Sequence, residues 1–191
     1  MKLILASGSP RRKELLEQVS FRFEVLTTDV DESTVIESDP ETLVKKLAYR
    51  KGEAVTIQDD QVVLTADTVV SFDGQILTKP ATVDEAVSML TKLNGKQHDV
   101  WTAVRIKSVK KDVLITQSTS VEFWNVPQKV IDAYVGTGDP FDKAGGYGIQ
   151  TAGALFVKQI EGDYYNVVGL PLSKVVQCLR DFDVHPSFVI A

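Results

Sequence analysis

Apolar and polar positions follow two rhythms along this chain, and the switches between them mark out its elements. Leu3 to Ala6 is a short apolar run that reads as a strand. A polar turn with Ser7 and Ser9 follows, and Pro10 opens an amphipathic helix. Phe21 to Leu26 alternates as a second strand, and Thr27 to Ser38 is acidic and irregular. Asp39-Pro40 starts another helix, with Leu43, Leu47, Ala48 and Ala54 as its apolar face. Val62 to Phe72 is a long β-rich run, and Asp73-Gly74 turns it back through Gln75 to Leu77. Thr82 to Glu85 is a capping box that opens a helix through Ala86, Met89, Leu90 and Leu93, closed by Asn94-Gly95.

Two long β segments follow, Val100 to Val109 and Val113 to Trp124, joined by a charged turn at Lys110 to Asp112. A helix from Pro127 to Val135 ends at Gly136. A glycine-rich loop, Gly136 to Gly153, leads into Ala154 to Ile160, and a last helix runs from Pro171 to about Phe182. Strands and helices interleave, but with hairpins rather than strict βαβ alternation. The pattern predicts an α/β fold, a mixed twisted sheet with flanking helices. Residues 1–191 read as one domain of two lobes without a separable linker.

Composition narrows the function. The chain has 191 residues, 43% of them hydrophobic and 25% charged, with a net charge of -5. That suits a soluble protein with a full core and argues against sequence-independent nucleic-acid binding. A cationic cluster inside an acidic protein suggests a small anionic ligand. The single Cys178 excludes an internal disulfide and a cysteine-built metal cage, and its apolar-periodic setting predicts a packed thiol. No run reaches membrane-spanning length, and Leu3 to Ala6 is too short for a signal peptide, so a cytoplasmic location is the expectation.

Candidate chemistry begins at Ser7, Ser9, Arg11, Arg12 and Lys13. Cations are unfavourable at a helix N-terminus, where the macrodipole already places positive charge, unless something strongly negative sits before them. Backbone amides, hydroxyls and guanidinium forks are the parts of a phosphate site. Asp67, in Ala66-Asp67-Thr68, lies among Leu64, Val69 and Val70. A carboxylate there needs a metal, a cation or a strand end facing a cleft. Asp31-Glu32 would matter if the fold brought it to Asp67, since two carboxylates with phosphate oxygens suit Mg²⁺. Lys79-Pro80 follows the hairpin. Asp142 to Gln150 combines clustered glycines with Lys143, with Tyr147 as a candidate stacking ring, and with Gln150 as an amide for a base edge. His98 and His185 show no metal-ligand spacing. No Walker loop, Rossmann fingerprint or Ser/His/Asp pattern is present.

The chain resembles the Maf family of nucleoside triphosphate pyrophosphatases. The match is carried by Ala6 to Arg12 with Glu14 to Leu16, Ala66 to Thr68, Lys79-Pro80, Asp142 to Gly145 with Tyr147 to Gln150, and Gly162 to Tyr165 with Val168 to Pro171. It extends from residue 3 to about residue 182. The resemblance implies an elongated two-lobed fold related to inosine triphosphate pyrophosphatases, usually homodimeric, that converts a nucleoside triphosphate to monophosphate and pyrophosphate. The Pro-Arg-Arg, Ala-Asp-Thr and Gly-Ile-Gln signatures resemble the subgroup acting on dTTP and UTP. By the match Asp67 is the proton acceptor, and Arg11, Thr68 and Gln150 are associated with substrate choice. Lys51 matches a family lysine, followed here by Gly52 where alanine is usual; Gly146 likewise stands where alanine is commoner.

The residues and the resemblance together imply a mechanism. Asp67, with Glu32, would hold a divalent cation, magnesium first and manganese second. Arg12, Lys51, Lys79 and Lys143 would hold the phosphates, with Ser7 and Ser9 as uncharged donors. Thr68 and Gln150 would read a pyrimidine edge. Two alternatives stand beside it. One is a nucleotide-binding regulator of septum formation that acts through partner contacts without catalysis. The other is an enzyme of the same fold with purine or modified-base substrates.

Overall fold

Strand β1 (Lys2–Ala6) is paired in parallel with β2 (Phe23–Leu26) on one side and β3 (Gln61–Phe72) on the other. A central parallel strand is covered on both faces and therefore reads as an unbroken apolar run. Leu3, Ile4, Leu5 and Ala6 are all buried accordingly. The computed structural model describes residues 1–27, 30–31 and 34–189.

The chain divides into two units. The first contains Met1–Asp67, Thr102–Gln117 and Gly169–Ala191; the second contains Thr68–Trp101 and Ser118–Val168. The boundary falls within three strands, β3, β5 (Gln97–Lys107) and β6 (Asp112–Phe123).

In the first unit the strand order is β2-β1-β3-β5-β6. Helix α1 (Pro10–Gln18) follows β1 and buries Arg12, Leu15 and Leu16. Helix α2 (Pro40–Glu53) buries Leu43, Val44, Leu47, Ala48 and Gly52. Its cap is Asp39, which accepts from the Thr42 amide at 2.8 Å, as the Asp-Pro start predicts. Ile4, Ala6, Val55 and Val63 pack together beside β1 and β3.

In the second unit β3, β5 and β6 continue in that order to β7 (Val157–Glu161), with β4 (Gln75–Leu77) antiparallel to β3. Antiparallel pairs at β3/β4 and β6/β7 beside parallel pairs at β1 make the expected mixed sheet. The hairpin turn has Asp73 and Gly74 both at positive φ, 49° and 70°, which fits the twist of the flanking strands. Helix α3 (Val83–Leu93) starts at Thr82, whose hydroxyl accepts from the Glu85 amide at 3.2 Å. Helix α4 is Gln128–Val135, α5 is Tyr164–Val168 and α6, in the first unit, is Leu172–Arg180.

The core of the second unit includes Val70, Leu90, Leu93, Val121, Phe123, Ile131, Tyr134, Tyr147 and Phe156. Burying each large apolar side chain contributes about 1.5–3 kcal/mol. His98 lies among them, 3% exposed, edge-on to Phe123 and hydrogen-bonded through Nε2 to the Tyr147 hydroxyl at 2.8 Å. Burial lowers its pKa from 6.5 to about 3. The folded protein therefore keeps the ring neutral while acid protonates the unfolded chain first. Stability is complete above pH 6.5 and declines as pH falls toward 3. The slope is about 1.4 kcal/mol per pH unit. Urea unfolding at pH 7 and pH 5 measures it. His98→Gln is expected to flatten the difference, and an unchanged slope in that variant would reject the assignment.

Candidate functional site

The strand order reverses at β1: the chain leaves toward β2 and returns to β3 on the opposite side. Open α/β sheets place ligands beyond the carboxyl ends of strands at such a reversal. The register pairs Leu5 with Leu64. Two residues past Leu5 is Ser7; three past Leu64 is Asp67. The serine turn thus leaves β1 alongside the stretch of β3 that carries Asp67, a residue inside that strand.

Asp67 is 7% exposed, and Lys51 Nζ lies 2.5 Å from its Oδ1. A buried charge without a partner is costly, so this pairing answers the demand raised by an aspartate among valines and leucines. Lys51 sits in the last turn of α2, where the helix dipole also favours a cation. The Thr65 hydroxyl donates to the Ala48 carbonyl at 2.7 Å, fastening the end of α2 to the strand that bears Asp67.

The β1–α1 turn is held from within. Arg12 is buried; its Nε donates to the Gly169 carbonyl at 2.9 Å and its Nη1 to Ser7 Oγ at 3.1 Å. Ser7 Oγ also accepts from the Ser9 amide at 3.3 Å. A cation in the first helical turn is therefore accommodated by a carbonyl and a hydroxyl, and Arg12 shapes the serine turn. Arg11 is half-buried, as are Ser7 and Ser9.

In the second unit Thr68 directly follows Asp67 and is half-buried, while Lys79 and Gln150 are exposed. Lys143 is 6% exposed and donates to the Asp139 carbonyl at 2.7 Å, Asp139 Oδ1 at 3.0 Å and Asp142 Oδ1 at 2.6 Å. Asp139 Oδ2 accepts from Tyr134 and Thr151 hydroxyls, each at 2.6 Å. Burial pushes the Asp139 carboxyl up, but these hydrogen bonds outweigh it and leave the pKa lowered. Burial and Asp139 both push the Tyr134 phenol up. A Cβ at Gly148 would meet Lys143 Cε at 2.5 Å, and Gly145, at φ 70°, lies against Val70. The glycines let the loop close onto Lys143. The loop is shaped rather than slack, and Gln150 projects beside it.

Lys51 and Asp67 come together, and Ser7, Ser9 and Arg12 form one turn. Tyr147 is not a stacking ring: it is buried against Phe123 and His98. Cys178 is half-buried rather than fully packed. Glu32 lies outside the described residues. Among the described residues no three His, Cys, Asp or Glu side chains cluster as a metal cage. Of the two carboxylates expected at a cation, Asp67 is the one within the described residues, and its Oδ1 is paired with Lys51; Mg²⁺ takes few protein oxygens and fills its shell with water and phosphate. Asp139 went unnoticed in the sequence, where nothing separates it from other loop aspartates. No helix is long and apolar enough to cross a membrane among the described residues.

Residues 2–182 match the family described as Maf-like protein. A dTTP/UTP pyrophosphatase of Bacillus cereus is 48% identical over 184 residues, 96% of each chain. One from Bacillus mycoides is 49% identical over 183 residues, covering 95% of this chain and 96% of its own. Among solved structures, a HAM1 protein from Coxiella burnetii aligns over 95% of this chain and 99% of its own, at 11% identity and a TM-score of 0.49.

The Asp139 network yields a stability prediction. Asp139→Ala strips a buried lysine and two hydroxyls of their shared acceptor and is expected to cost about 2 kcal/mol. A fall in the urea midpoint at unchanged slope measures this; an unaltered midpoint would show that the network does not hold the loop.

Proposed function

Because the chain belongs to the Maf-like protein family, we propose that it hydrolyses nucleoside triphosphates, dTTP and UTP foremost and modified pyrimidine nucleotides with them, to monophosphate and pyrophosphate. The observation that carries this reading is the buried Lys51–Asp67 pair, its aspartate on β3 three residues past the last residue paired with β1, where β1 gives way to the serine turn.

In the reaction a water oxygen bonds to the α-phosphorus as the bond to the bridging oxygen breaks and pyrophosphate leaves. Asp67 orients that water and takes its proton. Such transfer depends chiefly on positioning and charge neutralisation. Ser7, Ser9, Arg11 and the Arg12-braced turn receive phosphate oxygens, with Lys79 adding charge and Lys51 countering the charge that develops on the leaving pyrophosphate. Lys143, saturated by Asp139 and Asp142, serves by holding the loop that presents Gln150. Gln150 and Thr68 read the base edge. Asp67, with Glu32 as second carboxylate, would hold a divalent cation, magnesium or manganese. When bound, that cation supplies positive charge against the phosphates. The enzyme on this reading is a cytoplasmic homodimer. The regulator alternative is not carried further, since relatives at 48% identity bear an enzyme's name.

Pyrophosphate release from dTTP with Mg²⁺ tests the proposal. Asp67→Asn is expected to keep its circular dichroism and lose a hundredfold to ten-thousandfold in turnover, on the order expected for a general base. Wild-type turnover in that variant would remove Asp67 from the chemistry. Substitution of Gln150 is expected to change the ratio of dTTP to purine nucleotide turnover; equal loss on every base would assign it no part in base choice.

A further inference from the structure

Arg105, on β5, is 1% exposed, and each of its guanidinium nitrogens is engaged. Nε and Nη2 take the two carboxylate oxygens of Asp112 at 2.9 and 2.6 Å, a bidentate fork. Nη1 donates to the Tyr49 carbonyl at 2.9 Å, and Nη2 lies 2.8 Å from Glu53 Oε1. The guanidinium also stacks on the Tyr49 ring at 3.8 Å. Tyr49 and Glu53 stand two residues to either side of Lys51 in the last turn of α2. Arg105 therefore grips that turn from both sides of the lysine.

Gly52 makes the grip feasible. A Cβ at this position would meet Arg105 Nη1 at 2.9 Å and Cδ at 3.3 Å. An arginine pinned by a carboxylate fork and a carbonyl has little freedom to retreat. The departure from the family's alanine at this position thus has a local reason in this chain.

Resting on the reading of Asp67 as the reacting carboxylate, we propose that Arg105 is a positioning residue: through Tyr49 and Glu53 it fixes the end of α2 so that Lys51 meets Asp67, and Gly52 is present to admit it. Thr65, donating to the Ala48 carbonyl, is the second fastening on the same turn. Misplacing a catalytic group by an ångström costs on the order of a hundredfold in rate. Removing Arg105 thus acts on turnover rather than on substrate affinity. Asp112 and Glu53 are both partly exposed, so neither carboxylate is left buried without a partner in its absence.

The test is a double-mutant cycle in dTTP hydrolysis. Arg105→Ala is expected to lower kcat about tenfold to a hundredfold with little change in KM. Lys51→Ala is expected to lower kcat at least as far. The double variant should match Lys51→Ala within about twofold, because Arg105 acts through the lysine. A purely structural arginine would cost the same factor in both backgrounds, and that result overturns the proposal. Gly52→Ala supplies a milder perturbation: it should lower kcat in the wild-type background and add nothing to Arg105→Ala. Wild-type kcat in both Arg105→Ala and Gly52→Ala overturns the proposal while leaving the role of Asp67 standing. Full turnover in both Lys51→Ala and Asp67→Asn overturns the proposal and the functional reading together.

Discussion

An aspartate among valines and leucines on a central strand cannot remain charged and unpartnered, and Lys51 meets that requirement in the first unit. Leaving such a group without its partner costs about 3–5 kcal/mol. The requirement propagates outward. Lys51 reaches Asp67 because α2 ends where it does; Thr65 and Arg105 hold that end by its Ala48 and Tyr49 carbonyls. The aspartate of the pair stands on β3, the strand that flanks β1 in parallel on the side opposite β2. On the proposed reading of Asp67, a stability requirement and a chemical one converge on the same carboxylate.

The second unit meets a different constraint, that of presenting a short polar segment from a glycine-rich loop without letting it wander. Lys143 is enclosed by Asp139, Asp142 and the close approach of Gly148, and Tyr134 and Thr151 complete the set around Asp139. Glycine serves here as room for a buried lysine rather than as slack. The same logic recurs at Gly52, which makes room for Arg105. In both places a missing Cβ lets a cation reach the backbone or carboxylates that fix it.

Much of the architecture was legible because local signals agreed with the fold. Pro10, Asp39-Pro40, Thr82 and Asp73-Gly74 each mark an observed start or turn. Strand β5 begins earlier than its apolar run suggests, because His98 faces inward and breaks the expected polarity. Helix α5 escaped notice because it is one short turn, held by Asn166 donating to the Val100 carbonyl and Thr119 hydroxyl, contacts far apart in sequence. Asp67 announces itself by its apolar neighbours; Lys51, one of several lysines on α2, stands out through the family resemblance alone, and nothing in the sequence pairs it with Asp67. Arg105 and Asp139 were invisible for the same reason, since each acquires its meaning from residues elsewhere in the chain. The glycine-rich context of Tyr147 suggests a ligand, whereas packing against Phe123 governs its ring.

The central claim is that Asp67 directs water to the α-phosphorus of a triphosphate held by the serine turn. Hydrolysis of dTTP in ¹⁸O-labelled water tests it most directly. The account predicts that the label enters the monophosphate and is absent from pyrophosphate. Label found in the pyrophosphate would place the attack on the β-phosphorus and contradict it.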